Sequence, residues 1–292
     1  MNLILSSLSV SSRGFYARVL DAFRVFVCSH LGKKCWFPAN PWSLSCYIAD
    51  LVSKGYAPST VASHVSAIAF FHKLVGQDDP TSHFFIKRML LGANKLHRTI
   101  DSRVPISVEI LRKLVDSTSH VCSSLYESAL YKCMFILMFH GFMRVGEVTH
   151  SVNNIAFSQV QVSKDYVTIT FDRFKHHSGT PVIVSIPANR TRYCPVILTL
   201  KYLALRGTSQ GSFFSFPGSV PIQTSKFNTV LSNSLAWSGF SHLNIKSHSF
   251  RIGAATWAAS AGYTDSQIKI MGRWKSSAFR KYIRVKSFTI SL

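Results

Sequence analysis

Phe15, Val19, Phe23 and Phe26 recur three or four positions apart near the start of the chain, the spacing of one helix face turned towards a core. The stretch before them is Ser-rich and acid-poor, as transit peptides are, but the unbroken apolar face reads better as a first helix. Gly32 and Pro38-Ala-Asn-Pro41 end that helix, and a second is predicted over about residues 42–54, closed by Gly55. Pro58-Ser59-Thr60 opens a third, with Val61, Val65, Ile68 and Phe71 on one face, and Gln77-Asp-Asp-Pro80 closes it. A fourth is expected over about residues 82–96.

Residues 96–104 are polar and basic and lack an apolar period, which marks a linker. The chain is therefore divided into a helical domain over residues 1–98, a linker over 99–106 and a second domain over 107–292. Pro105 and a capping Ser107 start new helices that run to about residue 142. The longest apolar stretch, residues 129–143, is short for a bilayer and carries Lys132 and His140, so it reads as a core helix. Residues 165–186 alternate apolar and polar around His176-His-Ser-Gly179, the pattern of a β-hairpin with its loop at 176–179. Helical spacing returns after Pro187, interrupted by a Gly/Ser/Pro-rich segment over 207–221. The fold class is thus mainly α with a small antiparallel β-sheet.

Charge narrows the functional classes. The chain has 292 residues, with 33 Lys+Arg against 12 Asp+Glu, a formal net charge of +21. It is not a basic tail: residues 1–100 carry net +7 and residues 101–292 net +14. Folded surfaces that repel themselves this strongly suit a polyanionic partner, with nucleic acid first and an anionic membrane surface second. The six cysteines form no CxxC pair, and the chain is long enough to need no disulfide staples, so free and mostly buried thiols are expected. Twelve histidines fall in no zinc spacing, and the tight cluster of Cys28, His30 and Cys35 is a poor match to one; no metal and no cofactor is expected.

Four local features carry chemistry. His140-Gly-Phe-Met-Arg144 delivers an arginine from the end of an apolar helix, with Glu147 three residues on to orient it. Lys175 lies at the hairpin turn. His248 and Arg251 share one face at i, i+3, backed by the small residues Gly253-Ala-Ala, which allow close packing. Met271-Gly-Arg-Trp274 is followed, eight residues after Trp274, by Tyr282. Taken singly, each has an ordinary structural explanation: a surface ion pair, a solvated strand edge, a core histidine, an amphipathic tyrosine.

In this order and company, the features resemble the tyrosine recombinase (phage integrase) family. The resemblance spans the chain: a helical core-binding domain, a linker and a catalytic domain, which in the family form a C-shaped DNA clamp. HSFRIGAATWAASAG and IKIMGRWKSSAFRKYIR are most similar to recombinases of eukaryotic DIRS/Ngaro-type retroelements and Crypton-type transposons. The resemblance implies strand cleavage through a 3′-phosphotyrosine, with Arg144, Lys175, His248, Arg251, Trp274 and Tyr282 as catalytic residues and Glu147 in support. Guanidinium forks suit phosphate oxygens. A phenol of ordinary pKa ~10 needs a base or nearby cations, and His248 is placed to serve. Lys175 is the expected acid for the leaving 5′ oxygen, in preference to Lys164, which precedes the first hairpin strand. Trp274 takes the position that the family fills with His or Trp. The scarcity of acids argues against a two-metal nuclease.

Two features depart from the bacterial branch. The spacing from Trp274 to Tyr282 is one residue short, which predicts a different turn before the nucleophile helix. Ten residues follow Tyr282, room for a short C-terminal helix at most. DNA contacts are expected from Arg273, Lys275, Arg280, Lys281 and Arg284, which lie in a stretch from Lys269 to Lys286 free of acids. The helix opening at Ser59 and Thr60, with Ser63 and His64 on its polar side, is the candidate groove reader. The partners implied are double-stranded DNA and further copies of the chain in a tetrameric synapse, with no membrane and a nuclear location. Two other readings stay open: a silent DNA-binding protein derived from a transposon, and a type IB topoisomerase-like enzyme that nicks and reseals.

Overall fold

The computed structural model describes residues 2–97, 101–172 and 179–284. The chain divides into two compact units, Met1–Asp101 and Ser102–Leu292. Helices α1 (Asn2–Ser6), α2 (Val10–Ser29), α3 (Pro41–Ser53), α4 (Pro58–Leu74) and α5 (Phe84–Leu96) make up the first. Ser9 and Asn40 cap α2 and α3 by accepting from the Ser12 and Ser43 N–H groups. Pro41 and Pro58 stand at helix starts, where an N–H would lack a partner anyway. Phe23 and Phe26 of α2, Leu44, Tyr47 and Ile48 of α3, Val61, Val65 and Ile68 of α4, and Ile86 of α5 close one core. The helix predicted from residue 82 starts at Phe84 because Pro80–Ser82 forms a 3₁₀ turn, capped by Asp79. Buried His72 fastens α4 to the approach of α3, accepting from the Ala39 N–H at 2.9 Å while its Nδ1 meets the Ile68 carbonyl at 2.8 Å.

The second unit runs α6 (Val108–Val121), α7 (Leu125–His140), α8 (Val145–Val148), β1 (Val160–Val162), β2 (Tyr166–Phe171), β3 (Val182–Pro187), α9 (Pro195–Arg206), β4 (Ser215–Phe216), β5 (Val220–Pro221), α10 (Thr224–Trp237), α11 (Ser249–Ser260) and α12 (Asp265–Met271). Ser107 and Ser124 cap α6 and α7. α7 is the predicted core helix: Leu130, Tyr131, Met134, Phe135, Leu137 and Met138 are all buried, and α6, α9 and α11 pack around it. The sheet is antiparallel in the order β1-β2-β3, paired from Tyr166 with Pro187 to Phe171 with Val182. Val167, Ile169 and Phe171 turn inwards in alternation. Strand β1 has only three residues, too few for a period-2 signal, and was not predicted. The Gly/Ser/Pro-rich segment holds the two-residue strands β4 and β5. The expected loop at 176–179, and Lys175 with it, lies outside the described residues except for Gly179.

Two expectations need correction. Residues 104–106, placed in the linker, are built into the second unit: the Val104 N–H donates to the Asn244 carbonyl at 2.9 Å, and Ile106 is fully buried. The cysteines are free, but only Cys133 and Cys194 are buried; Cys35 is exposed and the other three half-buried. Among the described residues no helix is long and apolar enough to cross a membrane.

The 104–106 segment runs so close to α11 that a Cβ at Gly253 would lie 2.0 Å from the Ile106 carbonyl oxygen. Gly253→Ala is therefore expected to destabilise the protein by roughly 1–3 kcal/mol or more. An unchanged urea midpoint would contradict this close approach. At the end of α7, burial pushes His140 down to about 4. The unfolded chain takes up this proton near pH ~6.5 and the folded chain only near about 4, so folding stability falls as pH drops between them. Wild type should lose more thermal stability from pH 7 to pH 5 than His140→Gln; parallel losses would refute this assignment.

Candidate active site

The site begins where α7 ends. Phe142, at φ +50°, turns the chain so that Arg144 becomes the N-cap residue of α8. Glu147 reaches back from the first turn of α8: its Oε2 accepts from the Arg144 backbone N–H at 2.9 Å, and its Oε1 from the Arg144 guanidinium at 3.2 Å. Glu147 is only 2% exposed, whereas the Arg144 side chain is 25% exposed. A second arginine grips the same carboxylate. Arg273 donates to Oε1 at 3.0 Å and to Oε2 at 3.1 Å, a bidentate pair. It also donates to the carbonyls of Phe142 at 3.1 Å and Gly141 at 3.3 Å, and its guanidinium lies 3.6 Å from the centre of the Phe171 ring.

Arg251 comes from α11 and is fully buried. Its two terminal nitrogens donate to the carbonyls of Phe142 and Gly272, tying the end of α7 to the end of α12. The guanidinium lies 4.1 Å from the centre of the Trp274 ring, a cation–π contact. Trp274 folds back over Gly272 so closely that a Cβ there would fall 1.6 Å from a ring carbon, which explains the glycine. Burial, reinforced by the neighbouring guanidiniums of Arg144 and Arg273, pulls the Arg251 pKa down to about 9, which still leaves it charged at neutral pH. Burial pulls Arg273 down as well, against the opposing pull of Glu147.

Tyr282 closes a 3₁₀ turn over Ser277–Tyr282. An α-helix was expected here; the short approach from Trp274, with Ser276 capping the Ala278 N–H at 3.3 Å, winds the tighter turn instead. The ring of Tyr282 lies 5.0 Å from that of His248 and 5.2 Å from that of Trp274, between centroids. Thr256 of α11 pins the backbone, donating to the Tyr282 carbonyl at 3.2 Å and accepting from the Arg284 N–H at 3.1 Å.

The structure thus gathers Arg144, Glu147, His248, Arg251, Trp274 and Tyr282. Lys175 lies outside the described residues. Phe171, the last residue of β2, touches Arg273. Lys164 precedes the other end of β2, across six strand residues, or roughly 20 Å.

The surface residues fare unevenly. Arg273 is no surface residue; its side chain is wholly buried on Glu147. Lys275 and Lys281 are exposed. Arg280 is exposed but engaged, donating to Asp265 at 2.6 and 2.9 Å, and Arg284 donates to the Lys281 carbonyl. In the first unit Ser59 is exposed and Thr60 half-buried, while Ser63 turns its hydroxyl back to the Ser59 carbonyl at 2.8 Å. His64 faces inwards, its Nδ1 2.9 Å from the Tyr47 hydroxyl and its ring packed near Phe15, which weakens its candidacy as a groove reader. The sequence reading missed Arg273 and Thr256 as parts of the site. A buried arginine in a run of basic residues gives no periodic signal.

Chemically, two guanidiniums meet one carboxylate and a third, Arg251, shares the Phe142 carbonyl with Arg273, which leaves a surplus of positive charge in a largely buried setting beside a phenol and an imidazole. That arrangement can hold an oxyanion at the exposed edge of Arg144 and present a nucleophilic oxygen to it. Among the described residues no three His, Cys, Asp or Glu side chains group as metal ligands.

No protein-family model and no curated protein sequence matches the chain. Solved structures do. A lambda integrase tetramer bound to a Holliday junction is similar at TM-score 0.65 and 13% identity, covering 98% of this chain and 75% of that one. Tn1549 transposon integrase in complex with circular intermediate DNA gives TM-score 0.66 and 12% identity, covering 96% and 92%. XerH site-specific recombinase bound to palindromic difH substrate gives 0.60 and 10%, covering 91% and 73%. At these identities the likeness is one of fold: the chain has the fold of the tyrosine recombinases and integrases, mostly helical with small antiparallel sheets.

Proposed function

We propose that the chain is a site-specific DNA recombinase that cleaves and rejoins strands through a 3′-phosphotyrosine. The convergence of Tyr282, His248 and Trp274 on a cluster of three arginines carries this reading. The scissile phosphate binds at the exposed edge of Arg144, and its charge meets the surplus of the cluster. The Tyr282 oxygen attacks phosphorus and gives its proton to His248. The bond from phosphorus to the 5′ oxygen breaks, and that oxygen takes a proton from Lys175. The indole N–H of Trp274 donates to a phosphate oxygen. Arg251, with its fork spent on two carbonyls, contributes charge from behind the indole. Resealing reverses these steps onto a 5′-hydroxyl from another strand and consumes no nucleotide, because the phosphotyrosine conserves the bond.

Double-stranded DNA is the partner, met by Lys275, Lys281 and a chain of net charge +21. Tetrameric assembly on DNA, integration or excision of a mobile element, and a nuclear location complete the proposal. Supports are the fold, shared with a lambda integrase tetramer on a Holliday junction and with a transposon integrase, and the HSFRIGAATWAASAG and IKIMGRWKSSAFRKYIR motifs, which resemble those of DIRS/Ngaro and Crypton elements.

The test is a random-sequence library of duplexes, each nicked so that the short strand released by cleavage diffuses away. Wild type is expected to form a covalent protein–DNA adduct that survives denaturation and forms in EDTA; Tyr282→Phe should form none. No wild-type adduct would mean a silent DNA-binding protein. An adduct that reseals intact duplex without ever exchanging strands would favour the topoisomerase-like reading.

A further inference from the structure

Arg273 has no assigned task in the chemistry above, yet the fold goes to unusual lengths to bury it. It is a non-glycine residue at φ +55°, a conformation that L side chains rarely adopt. Its fork spans four pieces of the unit: the turn after α12 that carries it, the carbonyls of Gly141 and Phe142, the Glu147 carboxylate on α8, and the Phe171 ring at the end of β2. Both Glu147 oxygens are held by Arg273, and each also serves Arg144, one through its guanidinium and the other through its backbone N–H.

That sharing matters when a phosphate arrives. If Arg144 alone faced Glu147, turning its fork to a phosphate would leave a buried carboxylate without a countercharge. With Arg273 in place, Glu147 stays neutralised and keeps the Arg144 backbone fixed while the Arg144 guanidinium is free to engage the anion. We infer that Arg273 is a positioning residue for phosphate activation, acting through Glu147 to hold Arg144 aimed at the scissile phosphate. The inference rests on the recombinase reading. It needs the planar fork of arginine and not only its charge, because two carboxylate oxygens and two carbonyls are held at once.

The experiment uses the full chain and a duplex recovered from the random-sequence selection, nicked as before, with the scissile linkage either a phosphodiester or a neutral methylphosphonate. On the phosphodiester, Arg273→Lys is expected to form adduct at least ~10-fold more slowly than wild type, because a misaimed fork loses transition-state contact. On the methylphosphonate there is no charge for Arg144 to balance, and the deficit should shrink to within about threefold. A protein merely loosened by the substitution would lose the same factor on both, and that outcome overturns the inference. So does a wild-type rate on the phosphodiester. Thermal melts accompany the rates. Should Arg273→Lys not fold, the double variant Arg273→Met, Glu147→Gln replaces the buried pair by neutral groups and should show the same selective loss; phosphodiester cleavage at the wild-type rate would again overturn it. Absence of adduct from wild type on both linkages is a different failure, that of the recombinase reading itself.

Discussion

The Glu147 carboxylate, 2% exposed, is the constraint on which the second unit's site depends. A buried carboxylate needs countercharge and hydrogen bonds on both oxygens. Glu147 finds them in Arg144, just after α7, and Arg273, just after α12. Satisfying it fixes where α8 starts, where the chain turns after α12 and how the end of β2 meets both. Stripping one partner from such a buried set typically costs about 3–5 kcal/mol. The group that organises the site is thus also one of its main conditions for folding.

The carboxylate is outnumbered. Arg251 is held against it only through the Phe142 carbonyl, which both Arg251 and Arg273 use. Three guanidiniums around one negative charge oppose one another, as the lowered pKa of Arg251 shows, burial being its first cause and the neighbouring arginines the next. The two buried arginines are anchored by carbonyl oxygens and aromatic faces, and Arg273 by Glu147 as well. Part of the folding energy maintains an unbalanced field, which the phosphate of the proposed reaction would relieve. Preorganised charge of this kind requires little rearrangement when the anion binds.

Much of this was legible in the sequence, and what was not has specific causes. The helices of the first unit follow from Pro, Gly and Ser punctuation around 3.6-residue apolar spacing, which is local chemistry. The pairing of Arg144 with Glu147 and the joint face of His248 and Arg251 follow from helical spacing in the same way. Arg273 is the instructive miss. Charge counting placed it on a DNA-facing surface with Lys275 and Arg280, since its partner lies 126 positions away and no local pattern reports such a contact. Arg280 is exposed, and its pairing with Asp265 escaped the charge pattern because Asp265 stands just before the acid-free stretch. The ring of Tyr282 lies near those of His248 and Trp274, but the turn that carries it is 3₁₀ and not α, because the approach from Trp274 is short.

The basic residues therefore divide by solvent exposure into groups with different physics. Lys275 and Lys281 are exposed, so their attraction to a polyanion is screened over about 8–10 Å at ordinary salt. Arg251 and Arg273 are buried, where salt does not reach and the effective dielectric is lower. Under the recombinase proposal the first group would govern how long a duplex stays bound, the second what happens to one phosphate once it arrives. Arg144 stands between them: a quarter exposed, with one edge on Glu147 and the other open. In the proposed reaction it is the point at which a diffuse attraction for nucleic acid would become a fixed contact with a single phosphate, held from behind by the buried Glu147–Arg273 pair.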